Sequence, residues 1–355
     1  MESLDAPPPV AVADFADVDP VPETVQRPAP GDPVLSVVIP CYNEGANVDA
    51  LFDRLVPELD RLGVSWEVVC VNDGSPDDTL KHLMAARRRH PGIKIVDLSR
   101  NFGKERALSA GLLHSRGQCV VPMDADLQHP PELIGAFLDK WREGYDVVMA
   151  VRHARVGQHL TNRLGARAFY WLFDKMSDVR LPREVGDFRL LDRRVVDVIN
   201  RMPERTRFMK GIFAWVGFHQ TSIPYIQGER TAGATKWGLL KLIRFSIDGL
   251  TAFSTFPLRV WSAVGAVISA FAFFYIVVRL LRTAIYGIDV PGFETIVVTI
   301  LFLGGVQLLT LGIIGDYLGR VFEEVKGRPL FIVRSTYGID ERAIAKPASV
   351  TDADG

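Results

Sequence analysis

Cysteine is scarce in this 355-residue sequence, with three in all. Cys41, Cys70 and Cys119 show no CxxC spacing, which excludes a zinc ribbon or a dithiol redox pair. Each lies inside an apolar run, so all three are expected to be small buried hydrophobes facing a reducing cytosol. Net charge is equally scant, at -1. With 41 bases against 42 acids, no bulk field favours nucleic acid, and none is expected as a partner. Neither GxGxxG nor GxxxxGK(S/T) occurs, so the glycine fingerprints of dinucleotide folds and P-loops are missing. Residues 1–33 have no apolar segment and a single base, Arg27. They read as a disordered acidic tail and not as a secretory signal.

What the chain does have is a local apolar excess after residue 255. No charge falls from Val260 to Val278, between Arg259 and Arg279, nor from Thr295 to Gly315, between Glu294 and Asp316. A spanning helix needs about 20 mostly apolar residues. The expectation is a transmembrane hairpin within 257–320, with helices at about 258–281 and 293–316. Bases precede the first span (Lys236, Lys241, Arg244, Arg259) and follow the second (Arg320, Lys326, Arg328). The positive-inside tendency then places both flanks in the cytoplasm, against the weaker signal of Arg279 and Arg282 in the link. Residues 229–256 carry Trp237 and an apolar series, Leu239, Leu242, Ile243, Ile247 and Leu250, near helical spacing with interleaved charge. They read as an amphipathic helix at the bilayer interface. The remainder, 321–355, reads as a cytoplasmic tail. The expectation is a multi-pass protein of the inner or plasma membrane, its catalytic part in the cytosol.

Residues 34–228 read as a separate α/β domain. Apolar runs start at Leu35, Trp66, Ile93, Cys119 and Asp146, with helical patterns between them and Pro76 opening the second helix. Strands apolar throughout and alternating with helices predict a mostly parallel sheet covered on both faces. Gly186–Asp192 and His219–Ile226 read as further strands. Polar residues gather at the carboxyl ends of the first five: Asn43 and Glu44, Asp73, Asn101, Asp124 and Asp126, Arg152. Ligands of open α/β sheets bind at those ends.

The fourth end is the most informative. Asp124-Ala125-Asp126-Leu127-Gln128 offers two carboxylates and an amide oxygen, a donor set for Mg²⁺ or Mn²⁺ bridging a diphosphate. Asp73 and Glu44 offer acceptors for a base or ribose. Arg152, Arg189, Arg230 and Lys236 form a set able to hold a second phosphate. That set adjoins the apolar segments, so the second phosphate is expected on a lipid. Such an acceptor is already anionic and needs little help from a base. Catalysis would rest on positioning and on metal stabilisation of the leaving diphosphate. Asp187 is a candidate to orient the acceptor or sugar, or to act as a general base.

The runs VVIPCYNEG, VNDGSPDDT, NFGKERALSAG, MDADLQHPPE, GDFRLLDRR and GATKW occur in that order. Together they resemble a family 2 glycosyltransferase with a GT-A fold (Rossmann-like), of the polyprenyl-phosphate type that includes bactoprenol glucosyltransferases and dolichyl-phosphate mannose synthase. The resemblance runs from about Leu35 to Arg328. It implies a nucleotide diphosphosugar held by Pro40, Tyr42, Asn43, Glu44, Asp73, Lys104, Asp124 and Ala125, with Asp73 at the base. It implies the metal at Asp124, Asp126 and Gln128. It places Asp187 and Arg189 near the reacting centre, and Arg230 and Lys236 near the acceptor phosphate. The hairpin and the GDFRLLDR run resemble the bacterial glucosyl-transferring branch, which makes UDP-glucose the first donor to consider, with GDP-mannose or another nucleotide sugar as alternatives. A homotetramer fits the hairpin type. Asn72 departs from the family's usual Asp. No Gln-x-x-Arg-Trp run of a processive synthase is present. A membrane-tethered, catalytically inert binding scaffold is the reading from another class.

Overall fold

The computed structural model describes residues 32–152, residues 185–225 apart from 206, and residues 292–339, with scattered residues between 267 and 285, all helical. The expectations for residues 1–31, for the juxtamembrane helix, for most of the first span and for Arg230 and Lys236 lie outside the described residues.

Four parallel strands form the centre of the sheet: β1 (Leu35–Cys41), β2 (Trp66–Asn72), β3 (Ile93–Leu98) and β4 (Cys119–Pro122). Helices α1 (Gly45–Arg61), α2 (Thr79–Arg89) and α3 (Lys104–His114) connect them, and α4 (Leu133–Arg142) follows β4. The sheet continues with β5 (Val147–Arg152), β6 (Val185–Asp192) and β7 (Gln220–Tyr225); α5 (Arg193–Arg201) and α6 (Met209–Trp215) separate the last two. A long helix, α7 (Phe293–Val325), leads to β8 (Val333–Tyr337). The eight-stranded order is β7-β5-β6-β4-β1-β2-β3-β8.

The α/β, mostly parallel architecture agrees with the pattern read from the sequence, and the two core clusters lie on its two faces. One packs Val48, Leu51, Leu55 and Leu59 of α1, with residues of α2 and α4, against Val37, Ile39 and Cys70. The other packs α3, α5 and α6 against Val38, Val69 and Val120. The three cysteines are buried and free, as expected. Gly111 lets α3 lie close on the sheet, since a Cβ there would fall 2.2 Å from Val38 Cγ1.

The structure corrects several details. Helix α2 begins at Thr79, not at Pro76, where the Asp77 carboxylate accepts from the Thr79 amide at 3.1 Å. Strand β6 is inserted between β4 and β5 and runs antiparallel to both. Residues 321–355 are not simply a tail. Helix α7 continues beyond 316, where the second span was expected to end, and β8 pairs antiparallel with β3 at the sheet edge. The part of α7 from Phe302 to Val325 is long and apolar enough to cross a membrane, and it exposes Leu308, Leu311, Ile314 and Leu318. Its end meets the α/β domain, where the Arg205 amide donates to both Glu324 oxygens at 2.8 and 3.0 Å.

Candidate active site

The parallel strands all deliver their carboxyl ends to one rim, and a cavity of about 290 Å³ opens there. Pro40, Tyr42, Glu44, Asp73, Lys104, Asp124 and Ala125, all expected on the donor side, line it. Asp126, Asn101, Cys41 and Ala107 complete the lining. Asn43 does not line it. Its backbone is left-handed (φ +57°), and its amide donates to Ser75 Oγ at 3.1 Å, so it shapes the turn after β1.

Asp73 sits at the end of β2 with both carboxylate oxygens engaged. The Phe102 and Gly103 amides donate to them at 2.7 and 2.9 Å. Burial raises its pKa, and these amides oppose the rise. Asp73 therefore holds the β3–α3 loop against the cavity wall. Gly74 allows this packing, because a Cβ there would lie 2.3 Å from the Arg100 backbone carbon and its φ is +63°.

Asn72 turns away from the cavity. Its Nδ2 donates to Asp97 Oδ1 at 2.7 Å, and both side chains are buried. Arg334 of β8 approaches the other Asp97 oxygen at 3.6 Å. An aspartate at position 72 would set carboxylate against carboxylate in a dry setting. Asn72→Asp is expected to lose about 2–4 kcal/mol of stability at pH 8, with part regained as one of the two acids protonates on acidification. Thermal unfolding across pH 5–8 measures this. An unchanged melting temperature at pH 8 would refute the account.

The turn after β4 carries the acid pair. Leu127 is left-handed (φ +60°), unusual for a bulky residue, and this reverses the chain. The Gln128 amide then donates to Asp126 Oδ1 at 3.1 Å, and the Asp124 amide donates to His129 Nδ1 at 3.1 Å. His129 is buried and stacked on Phe188, with ring centroids 4.8 Å apart and planes 6° from parallel. The sequence reading missed this histidine as a support of the acid turn. Its position next to the Pro-Pro break was the available signal. Gln128 is buried and outside the cavity lining.

Because β6 runs antiparallel to β4, its early residues lie beside the end of β4. This brings Asp187 to the acid pair from more than sixty positions away. Lys104, the first residue of α3, stands between the two, with Nζ 2.6 Å from Asp124 Oδ1 and 2.8 Å from Asp187 Oδ2. Burial would raise the Asp187 pKa, but the Lys104 ammonium overrides it and pulls the carboxyl down to about 2. Burial also works against the Lys104 charge, and the two carboxylates outweigh it, lifting that pKa above the usual lysine value.

Arg189 is not on an open phosphate-binding surface. It is 3% exposed, donates to Gly186 O at 2.7 Å and stacks on Phe213 with its guanidinium carbon 4.3 Å from the ring centroid. Desolvation lowers its pKa to about 10. Facing the same side as Asp187 two residues earlier, it supports that carboxylate from within the core. Arg152 ends β5, and its side chain lies outside the described residues.

Glu105 was not anticipated. It is half-buried near Asp187 and accepts from the Met209 amide at 3.0 Å. Burial first, and then the Asp187 charge, raise its pKa to about 7 from 4.5. The folded state therefore prefers the protonated acid. That stabilisation is complete below about pH 4.5 and is lost as pH rises through 7. Glu105→Gln keeps an acceptor for Met209 and is expected to raise stability at pH 8 by about 2–3 kcal/mol, with no gain near pH 4.5. Melting curves over that range read it, and a pH-independent difference would contradict it.

The donor set suits a small divalent cation. Asp124 and Asp126 face one cavity, and Asp187 Oδ1 is buried without a hydrogen-bond partner among the described residues. A cationic ammonium already lies against two of these carboxylates. No group of three or more His, Cys, Asp and Glu side chains able to hold an ion occurs among the described residues. Mg²⁺ commonly makes do with one or two carboxylates plus substrate phosphates.

Residues 36–199 match the model of glycosyl transferase family 2. A glycosyltransferase of Synechocystis sp., named as uncharacterized, is 50% identical over 88% of this chain and 98% of its own. The chain belongs to glycosyl transferase family 2. A prophage bactoprenol glucosyl transferase homolog of Escherichia coli is 42% identical, covering 84% of this chain and 98% of its own. A bactoprenol glucosyl transferase of Shigella phage SfX is 41% identical over 85% and 99%. In this glycosyltransferase, Asp124 and Asp126 lie on the cavity at the sheet rim.

Proposed function

We propose that this glycosyltransferase moves a single sugar, glucose from UDP-glucose in the first instance, onto the phosphate of a polyprenyl lipid such as undecaprenyl or decaprenyl phosphate. The reaction takes place at the cytoplasmic membrane face and inverts the anomeric carbon. The observation that carries the reading is the pair Asp124 and Asp126 on one cavity wall, with Asp187 joined to Asp124 through Lys104, in a chain that also exposes the long apolar α7. The bactoprenol glucosyl transferases among its relatives support the lipid acceptor.

Asp124 and Asp126 would hold Mg²⁺ or Mn²⁺, and Gln128, buried outside the cavity lining, would steady Asp126 through its backbone amide and not as the oxygen donor its place in the motif suggests. The ion supplies charge stabilisation to the departing diphosphate. The wall made by Pro40, Tyr42, Glu44 and Asp73 seats the nucleotide. Asp187 orients the incoming groups from the opposite side. Its carboxyl at about 2 is poorly matched to proton abstraction near neutrality, and an anionic phosphate acceptor needs none. Arg152, Arg230 and Lys236 are proposed to receive the lipid phosphate.

Membranes containing the protein, incubated with labelled UDP-glucose, undecaprenyl phosphate and Mg²⁺, should yield an organic-extractable labelled product. EDTA should abolish it. A product only from GDP-mannose would reassign the donor. No product from any nucleotide sugar, with UDP binding intact, would favour an inert scaffold.

A further inference from the structure

We propose that Lys104 is a resident counter-cation of the acid cluster, occupying Asp124 until a divalent ion and a diphosphate arrive and then shifting to the diphosphate oxygens. This rests on the donor reading above. The ammonium spans Asp124 Oδ1 at 2.6 Å and Asp187 Oδ2 at 2.8 Å. Asp126 and Glu44 share the cavity with this bridge. Burial raises the Glu44 pKa most, the Asn47 hydrogen bond opposes the rise, and the Asp126 and Asp124 charges add to it. Several carboxylates around one small cavity repel each other strongly where water is partly excluded. A cation built into the chain relieves that repulsion before any substrate is present.

The bridge is also made to open. The Lys104 side chain is 46% exposed and lines the cavity wall, so its flexible stem can move without disturbing the core. A divalent ion on Asp124 would lie within a few ångströms of the ammonium, and the two cations would repel. Ion binding and the Lys104–Asp124 contact therefore compete. A diphosphate would remove the conflict, because it would offer the displaced ammonium a new anion while Asp124 and Asp126 would hold the ion. The consequence is an ion that binds weakly alone and tightly with nucleoside diphosphate, which keeps the acid pair from being loaded without a donor. The Lys104–Asp187 contact retains the lysine beside the cavity during the exchange.

The test is Mn²⁺ binding to the full chain in detergent, read by the electron paramagnetic resonance of free Mn²⁺, with no nucleotide and then with UDP. Lys104→Met and Lys104→Gln should bind Mn²⁺ alone about tenfold more tightly than the native protein, and Lys104→Arg should not. With Mn²⁺ saturating, both neutral variants should bind UDP about tenfold more weakly. Lys104→Gln retains hydrogen-bond donors for the two carboxylates, so it reports even where Lys104→Met fails to fold. A merely structural lysine would lower both affinities on removal. Unchanged or weaker Mn²⁺ binding in the neutral variants would overturn the proposal, as would a gain shared by Lys104→Arg. Asp126→Ala measured with UDP separates the two levels. If it leaves Mn²⁺ binding intact, the metal reading falls together with this inference. If it abolishes binding while Lys104→Gln gains nothing, only the role of the lysine falls.

Discussion

Asp126→Ala is expected to reduce sugar transfer by about 10³-fold. Asp126 faces the cavity as one of two carboxylates on the β4 turn. On the proposed mechanism, removing one of these two carboxylates would leave the ion to Asp124 and the substrate. The loss should appear mostly in turnover, because the stabilised charge develops as the diphosphate departs. Asp126 Oδ1 also accepts from the Gln128 amide, so part of any effect of alanine could come from a loosened turn. Asp126→Asn keeps that acceptor and removes the charge. Both variants should be similarly inactive, and added Mn²⁺ at high concentration should recover more activity in Asp126→Asn. Initial rates of lipid-linked product at saturating donor measure this. Full activity in either variant would remove the metal-assisted mechanism.

Asp187→Asn should cost about 10²-fold in turnover while leaving UDP affinity within a few-fold of native. The reasoning differs from that for Asp126. Asp187 comes from β6 and is outside the lining of the donor cavity. One of its oxygens is engaged by Lys104 and the other is buried without a partner among the described residues. With its carboxyl at about 2, Asp187 is ionised throughout the working range. Its folded pKa is depressed, so its stabilising contribution is present above the ordinary aspartate range and disappears only as pH falls towards 2. An acid limb of the rate profile near neutrality would then belong to another group. If instead the limb vanishes in Asp187→Asn, Asp187 is a general base and the positioning assignment is wrong.

The sequence exposed the rim of the site for a simple reason. The parallel strands are mostly apolar, so polar groups that recur just beyond each carboxyl end stand out. Glu44, Asp73, Asn101, Asp124 and Asp126 were legible in that way, and all line the cavity. Position along the chain did not show which polar groups are supports. Asn72 stood out only as a departure from the family's usual Asp, yet it is a partner of Asp97. Arg189 looked like a phosphate ligand, yet it stacks in the core on Phe213. Alternation along β6 puts Asp187 and Arg189 on one side and Phe188 on the other, but not how deep each lies. Strand β8 was hidden because its run is short and follows a long apolar helix, where composition reads as a tail.

By itself the sequence determined the α/β class, the apolar segments, the family motifs and the acids at the strand ends, because these follow from periodicity and local composition. Tertiary structure alone decided that β6 enters antiparallel next to β4, that Asp187 therefore meets Asp124, and that Lys104 bridges them. It also decided that β8 returns to the β3 edge and brings Arg334 to Asp97. Strand insertion and edge pairing are settled by contacts between distant segments, whose net energy depends on the packing of the whole sheet and leaves no periodic trace in the chain.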